Sequence, residues 1–417
     1  MLKPKVFETK KEFLLTLSFL VLLIVVRLGF EYRDYRDFIT KPFYFTYAKV
    51  LNSYTKVKNG KEYTVLKVYA DNKYKFYTTS YKKNDFLNTK IRLQIFPTSN
   101  ITFMDFLGIF YVNSRIKEVE KLPLGTKNTL LLTVEKQHRS SELKSFYNAI
   151  FFAKPLDKEL REKISLLGVS HLVALSGFHL GILWVIVYNL LLFFYRPIQQ
   201  KKFPYRHALL DVGIVTMLIL GTYLWFVDAP PSLLRSYAMA LAGWIFLLMG
   251  VEVLNFMFLT LVIFMLMVLF PSLLVSLGFW LSIAGVFYIF LILKYTKYYS
   301  KTIISLLFIP IGIFLLMLPI VHSMFGVTSL YQLLSPILSL LFIPFYPLSM
   351  LLHLLGIGHL LDGALLWLFH LPIESRVELL PMWMSIIYII LSVVSIVKKE
   401  LFFLTLFLAL SYGVYLF

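Results

Sequence analysis

Apolar stretches of membrane-spanning length recur through most of this chain, and they limit what it can fold into more than any other feature. A bilayer core ~30 Å thick is crossed by about 20 apolar residues in a helix. One such run is Phe13–Phe30. After Val169 they follow in near succession: Leu172–Tyr195, Ala208–Val227, Leu233–Gly250, Leu254–Phe270, Leu277–Lys294, Thr302–Val321, Met382–Val397 and Leu401–Phe417. Apolar residues make up 59% of the 417 and charged residues 15%, against about 45–50% and about 25% in soluble domains. An ordinary cytosolic enzyme, a fibre and a disordered chain are excluded, and a polytopic α-helical membrane protein is expected. There is no cysteine, so disulfides, thiolate metal sites, iron–sulfur clusters and cysteine nucleophiles are excluded too.

Lysines precede the first run, as in a signal peptide, but Glu31-Tyr32-Arg33-Asp34 follows it instead of a small-residue cleavage site. The run reads as a retained helix with its N-terminus in the cytoplasm. Alternating from there, the basic loops Arg196–Arg206, Lys294–Lys301 and Lys398–Lys399 all fall on the cytoplasmic side. This requires Val327–Leu371 to cross an even number of times or not at all. That stretch carries Pro336, Pro344, Pro347, Gly356, Gly358 and Gly363, too many breakers for one straight helix, so broken or re-entrant segments are expected there.

Residues 31–169 read differently. Tyr44–Leu51, Tyr63–Tyr69, Lys73–Thr79 and Thr89–Phe96 are strand-like runs rich in Tyr, Phe, Val and Thr. Asn59-Gly60 and Asp71-Asn72 mark tight turns between them, and a small barrel or curled sheet is expected. From Leu130 to Leu167 the pattern becomes amphipathic helix, split in two by Pro155. Half of the formal charge of +18 lies between residues 31 and 130, interleaved with aromatics. Cations that track phosphates beside rings that stack on bases, at ~1–3 kcal/mol per base, suit single-stranded nucleic acid. Tyrosines as strand formers and lysines as edge guards are the plainer account. The organisation expected is a tail and first helix over 1–30, a β-rich domain over 31–130, an amphipathic connector over 131–170 and a multi-span domain over 171–417.

Several chemistries are missing. Gly60-Lys61 lacks the rest of a phosphate-binding loop, and no H-E-x-x-H occurs. The pairs His171/His179 and His353/His359 are not at helical ligand spacing, so neither a metal nor another cofactor is expected. The polar residues within apolar sequence are the candidates for function. Asp211 lies just inside a span, Glu252 in a short turn and Asp362 in the broken region. Asp228 and Arg235 bracket Ala229-Pro230-Pro231-Ser232. Arg235 reads either as an interfacial residue paired with Asp228 or as a substrate-facing cation. The densest cluster is Ser170–Gly181, with His171, Ser176, Gly177 and His179. In one regular helix, residues 172, 176 and 179 would share a face. Helix-packing glue and a functional site are both open readings of it.

The stretch His171-Leu172-Val173-Ala174-Leu175-Ser176-Gly177-Phe178-His179-Leu180 resembles the "HLLAISGLHV"-type signature of ComEC-type competence proteins, the inner-membrane DNA internalisation channels of natural transformation. Pro231–Ala240 is similar to that family's "P-S-x-x-R-A-x-x-M-A" block. Leu277–Ser282 is similar to its "G-F-Q-L-S" block, with Trp280 in place of Gln, and Pro336–Pro347 resembles its late "N-L-x-x-x-P" segment without the Asn. The resemblance spans roughly residues 140–355. It implies that the β-rich segment is a small extracytoplasmic OB-like domain, and that the helical part is a channel in the cytoplasmic membrane. The polar and small residues expected along the DNA path are His171, Ser176, Gly177, His179, Asp228 and Arg235. The partners it implies are single-stranded DNA, the lipid bilayer and other competence proteins, including a DNA receptor and a cytoplasmic motor or strand-binding protein; self-association is left open. Many members carry a metallo-β-lactamase-like nuclease domain. No H-x-H-x-D-H run occurs here, so strand degradation is not expected and the chain does not read as an enzyme. Two rivals remain at this level: an intramembrane serine hydrolase around Ser176, and a small-molecule secondary transporter.

Overall fold

The computed structural model describes the chain except for residues 1–6, 8, 59, 71–73, 82–85, 87, 124, 251–254 and 373. The turn residues Asn59, Asp71 and Asn72, and Glu252, therefore lie outside the described residues. The chain forms two compact units: Phe7–Gly125 with Leu261–Leu277, and Thr126–Thr260 with Gly278–Phe417.

The first unit opens with helix α1, Lys10–Ile39, which starts at Thr9, whose hydroxyl accepts from the Glu12 N–H. Its 30 residues rise ~45 Å, well beyond a ~30 Å hydrocarbon core. The excess is the charged stretch after Phe30, which the sequence reading assigned to the β-domain. It stays helical because Tyr35 and Phe38, three apart on one face, pack onto the sheet. Phe38 is buried among Tyr44, Tyr74, Phe106 and Phe110, and the Tyr35 hydroxyl donates to the Ile101 carbonyl. Burying a phenylalanine in this way contributes about 1.5–3 kcal/mol.

Six strands follow: β1 Tyr44–Lys58, β2 Lys61–Ala70, β3 Tyr74–Ser80, β4 Thr89–Phe96, β5 Phe110–Tyr111 and β6 Asn113–Lys121, in the order β5-β3-β2-β1-β4-β6. Strand β1 serves two partners, β4 through Tyr44–Lys49 and β2 from Ala48 onward, and a bulge between Val50 and Asn52 bends it between them. Strands β5 and β6 lie at opposite ends of this order yet are separated only by Val112, so the sheet curls until its two edges meet. Thr78 and Ser114 join hydroxyls across that closure at 2.7 Å. Alternation sends Val50, Leu66, Val68, Phe76, Ile91, Leu93 and Ile95 inward. The short helix α2, Phe103–Leu107, caps the same core with Phe106 and starts in a capping box. There the Thr102 hydroxyl and backbone N–H hold the Asp105 carboxyl below its usual pKa.

In the second unit the segment expected as two helices is three: α3 Thr126–Glu135, α4 Ser141–Phe152 and α5 Lys158–Leu166. Pro155 separates the last two, and an additional break falls at residues 136–140. Helix α4 is buried on nearly all sides. Its Phe146, Tyr147, Ile150 and Phe151 share a core with Leu160, Ile164, Leu172, Phe342, Tyr346 and Phe369. The chain continues through α6 Ser170–Val173, α7 Gly177–Lys202, α8 Ala208–Phe226, α9 Pro231–Leu248, α10 Phe256–Leu269 and α11 Leu277–Tyr295. Helices α12 Lys301–Ile303 and α13 Ile309–His322 are joined by a π-turn, Ile304–Phe308. Helix α14 is Ser335–Leu354, α15 Asp362–Phe369, α16 Met382–Val394 and α17 Lys399–Leu416.

Among the described residues, eight helices are long and apolar enough to cross a membrane, counting Lys301–His322 and Leu330–Leu354 as continuous runs. Helices α10 and α16 are shorter than the runs expected over 254–270 and 382–397. The expected breakage of 327–371 is corrected in detail. Pro344 and Pro347 ride inside α14 without ending it. Gly356, at φ +79°, follows the end of α14 in the left-handed conformation that glycine tolerates.

Candidate functional site

The stretch Ser170–Gly181 is two helices meeting at a break. Ala174, Leu175 and Ser176 lie between α6 and α7, with Ser176 extended at φ −137°, ψ −179°. The four backbone N–H groups that open a helix need acceptors. The Ser176 hydroxyl accepts from the Phe178 N–H at 3.3 Å, and His179 Nδ1 accepts from the Ser176 N–H at 3.3 Å. His179 is thus both a cap and a packed residue: it is fully buried, edge-on to Phe342 and Tyr346 of α14 at 5.1 and 4.8 Å. Since Nδ1 accepts, the ring proton sits on Nε2, which is buried with no hydrogen-bond partner among the described residues. Ser176 and His179 are neighbours, as a single helix would have made them, but through a cap. The Ser176 Oγ also lies 3.3 Å from His179 Nδ1, so the two side chains touch within the cap.

Other parts of the chain converge on this break. From α9, the Ser232 hydroxyl donates to the Leu175 carbonyl at 2.5 Å. One turn later Ser236 packs against Gly177, where a Cβ would stand 2.8 Å from the Ser236 Oγ. Only a glycine lets α7 and α9 approach this closely. Between those serines in sequence, Arg235 is 8% exposed and points to α11, with its guanidinium 6.0 Å from the Phe279 ring centre and against Gly278. From α14, Ser339 shares a 3.3 Å hydrogen bond with His171 Nε2. Three of the four blocks singled out in sequence, on α6–α7, α9 and α14, therefore meet around one discontinuity, and Arg235 carries α9 across to the fourth, on α11. Beside it a cavity of about 340 Å³ is lined by Gly177, Gly181, Trp184, Ser236, Ala240 and Trp244, among others.

Asp228 lies apart from this convergence. It sits in the α8–α9 turn at φ +63°, next to Ala229 at φ +44°, and accepts a 2.7 Å ion pair from Lys127 at the start of α3. Asp211 clamps the α7–α8 loop. It receives Arg206 through two bonds of 2.9 and 2.7 Å, and the Tyr195 hydroxyl also donates to it.

One cluster was missed in sequence. His353 meets His138, not His359: their Nε2 atoms are 2.8 Å apart. His138 Nδ1 faces the Asp362 carboxylate at 2.9 Å, and its ring stacks on Tyr147 with centroids 4.4 Å apart. Burial and the Asp362 charge push the Tyr147 phenol above its usual pKa. His353 Nδ1 donates to the Ser349 carbonyl at 2.6 Å. Nearby, Gln137 donates to the His353 carbonyl and accepts from the Gly358 N–H. This network fastens the α3–α4 corner to the end of α14. Among the described residues no group of three or more His, Asp or Glu is arranged to hold a metal ion.

Residues 153–416, more than half of the chain, match the family described as "Competence protein". An uncharacterized protein of Aquifex aeolicus (strain VF5) is 25% identical over 237 residues, which is 55% of this chain and 52% of that protein. The chain thus spans about half the length of the curated relative it matches. No solved structure matches.

Proposed function

The chain belongs to the Competence protein family, and from that premise we propose that it passes single-stranded DNA across the cytoplasmic membrane during natural transformation. The observation that carries this reading is the family match over residues 153–416, the region holding all four blocks. A polyanion cannot enter hydrocarbon and needs a hydrated passage with few, well-placed cations. In this reading Arg235 contacts phosphate beside α11, on the helix whose Ser236 packs against Gly177 of α7. His171, Ser176, Gly177 and His179 lie at the gate, a contact of small residues whose parting opens a narrow path. Asp228 anchors the adjoining turn through Lys127. The closed β-unit is OB-like, a reading its strand order supports, and receives the strand outside the membrane. The N-terminus is cytoplasmic, and residues 327–371 cross an even number of times or not at all, which keeps the basic loops on one side. With no phosphate-binding loop in the sequence, the pull comes from a cytoplasmic partner or a gradient, and a DNA receptor delivers the strand.

The test is deletion of the gene. Transformation should be lost while labelled DNA still reaches the cell surface. Unchanged transformation, or loss of surface DNA as well, would remove this assignment.

A further inference from the structure

On the outer face of the β-unit the side chains of β1 and the residue preceding it form a row. Phe43, Phe45 and Tyr47 are 49%, 49% and 50% exposed, while Thr46 and Ala48 between and beyond them point into the core. Tyr47 lies opposite Arg92 of β4, and Phe45 opposite Gln94. Arg92 reaches over Phe45 at 5.4 Å and Tyr47 at 5.8 Å, and Lys90 over Tyr47 at 5.1 Å. The Phe43 ring lies 6.5 Å from Phe96, over which Arg115 of β6 sits at 5.5 Å. Rings and cations thus alternate across three adjacent strands. Carboxylates stand at the margin: Glu118 holds Arg92 at 2.9 Å with both side chains open to solvent, and Glu120 lies opposite Lys90. An exposed ion pair of this kind is worth little and is readily exchanged for another anion.

We infer that this β1–β4–β6 face is where the β-unit binds single-stranded DNA, its bases stacking on Phe43, Phe45, Tyr47 and Phe96 and its phosphates taking Lys90, Arg92 and Arg115. The inference rests on the reading that the chain handles single strands. Two residues along a strand advance ~6.7 Å, about twice the ~3.4 Å between stacked nucleotides. Bases resting on successive rings are therefore drawn apart from one another, which an intact duplex does not permit. Bilayer lipid is a poorer occupant. Residues 31–39 of α1, with Glu31, Arg33, Asp34, Arg36 and Asp37, rise ~14 Å beyond the apolar run before the row begins. The pairs on the neighbouring strands, Lys75 with Tyr69 and Lys67 with Tyr77 on β2 and β3, involve less exposed rings.

The experiment uses the full chain in lipid nanodiscs and a fluorescent oligothymidylate at low salt, read by anisotropy. Phe45→Ala with Tyr47→Ala should weaken binding by about thirtyfold or more, without change in the melting temperature. Tyr69→Ala with Tyr77→Ala should bind like the parent protein. Arg92→Gln should lower the slope of log affinity against log salt by about one. Glu118→Gln should tighten binding, because it frees Arg92. Undiminished binding by the Phe45/Tyr47 variant, or a loss confined to the Tyr69/Tyr77 variant, overturns this placement and leaves the transport reading standing. If the parent protein fails to bind the oligonucleotide but captures anionic vesicles, the face belongs to lipid. No binding to either probe removes the strand-receiving role altogether.

Discussion

The two units of this protein treat polar side chains in opposite ways. The β-unit is apolar inside and carries its cations and half-exposed rings on the outer face. The helical unit turns lipid-compatible residues outward and keeps Arg235, His179, His138 and His353 inside. Water accounts for the first pattern and hydrocarbon for the second, since a polar group in contact with lipid finds no hydrogen-bond partner. Outer residues of the β-unit can therefore be exchanged with little effect on folding. In the bundle His138, His179 and His353 hold helices together, and a change at one of them touches stability first.

Substitutions at the break sharpen that contrast. The largest expected effect is Arg235→Ala, which should abolish DNA uptake while leaving the amount of protein in the membrane unchanged. Uptake assays with quantitative blotting decide it, and normal uptake would remove Arg235 from the path. Next is Gly177→Ala, whose methyl collides with Ser236. Overpacking of this kind costs about 1–3 kcal/mol, and Ser236→Gly in the same chain should recover most of the lost thermal stability. If it recovers none, the close approach of α7 and α9 is not what glycine provides. The smallest is Ser176→Ala, which removes a helix cap worth about 1 kcal/mol. A modest fall in melting temperature is expected, with no labelling of the parent protein by a covalent serine probe. Labelling at Ser176 would revive the hydrolase reading.

Much of the architecture was legible because its cause is local. Runs of apolar residues register directly as spans, and alternation in Tyr44–Leu51 and Thr89–Phe96 registers as strands. Strand β6 has no clear alternation because Asn113–Lys121 is exposed along nearly its whole length, with Ile116 as its apolar contact to the core. The last turns of α1 escaped because their charges mask an apolar face that exists only once the sheet is there to cover it. The three-way split of 126–166 escaped because a break needs no proline when neighbouring segments supply its hydrogen bonds.

The site divides along the same line. His171, Ser176, Gly177, His179 and Arg235 stood out in sequence as polar or small residues in apolar surroundings, and the structure gathers them at or beside one break. Asp228 went to Lys127, a partner 101 positions away. His138 and His353 are separated by 215. Nothing in His171–Leu180 announces that α6 ends before α7 begins. The Leu175 carbonyl left free there is satisfied by Ser232, 57 residues onward. Sequence alone determined that this chain carries a series of helices apolar enough for a membrane, and which polar residues are costly enough there to need a reason, because transfer into hydrocarbon is a property of each segment by itself. Only the tertiary structure decided where a helix is interrupted and which polar groups face one another, because a buried hydrogen bond needs a partner and the partner comes from elsewhere in the chain.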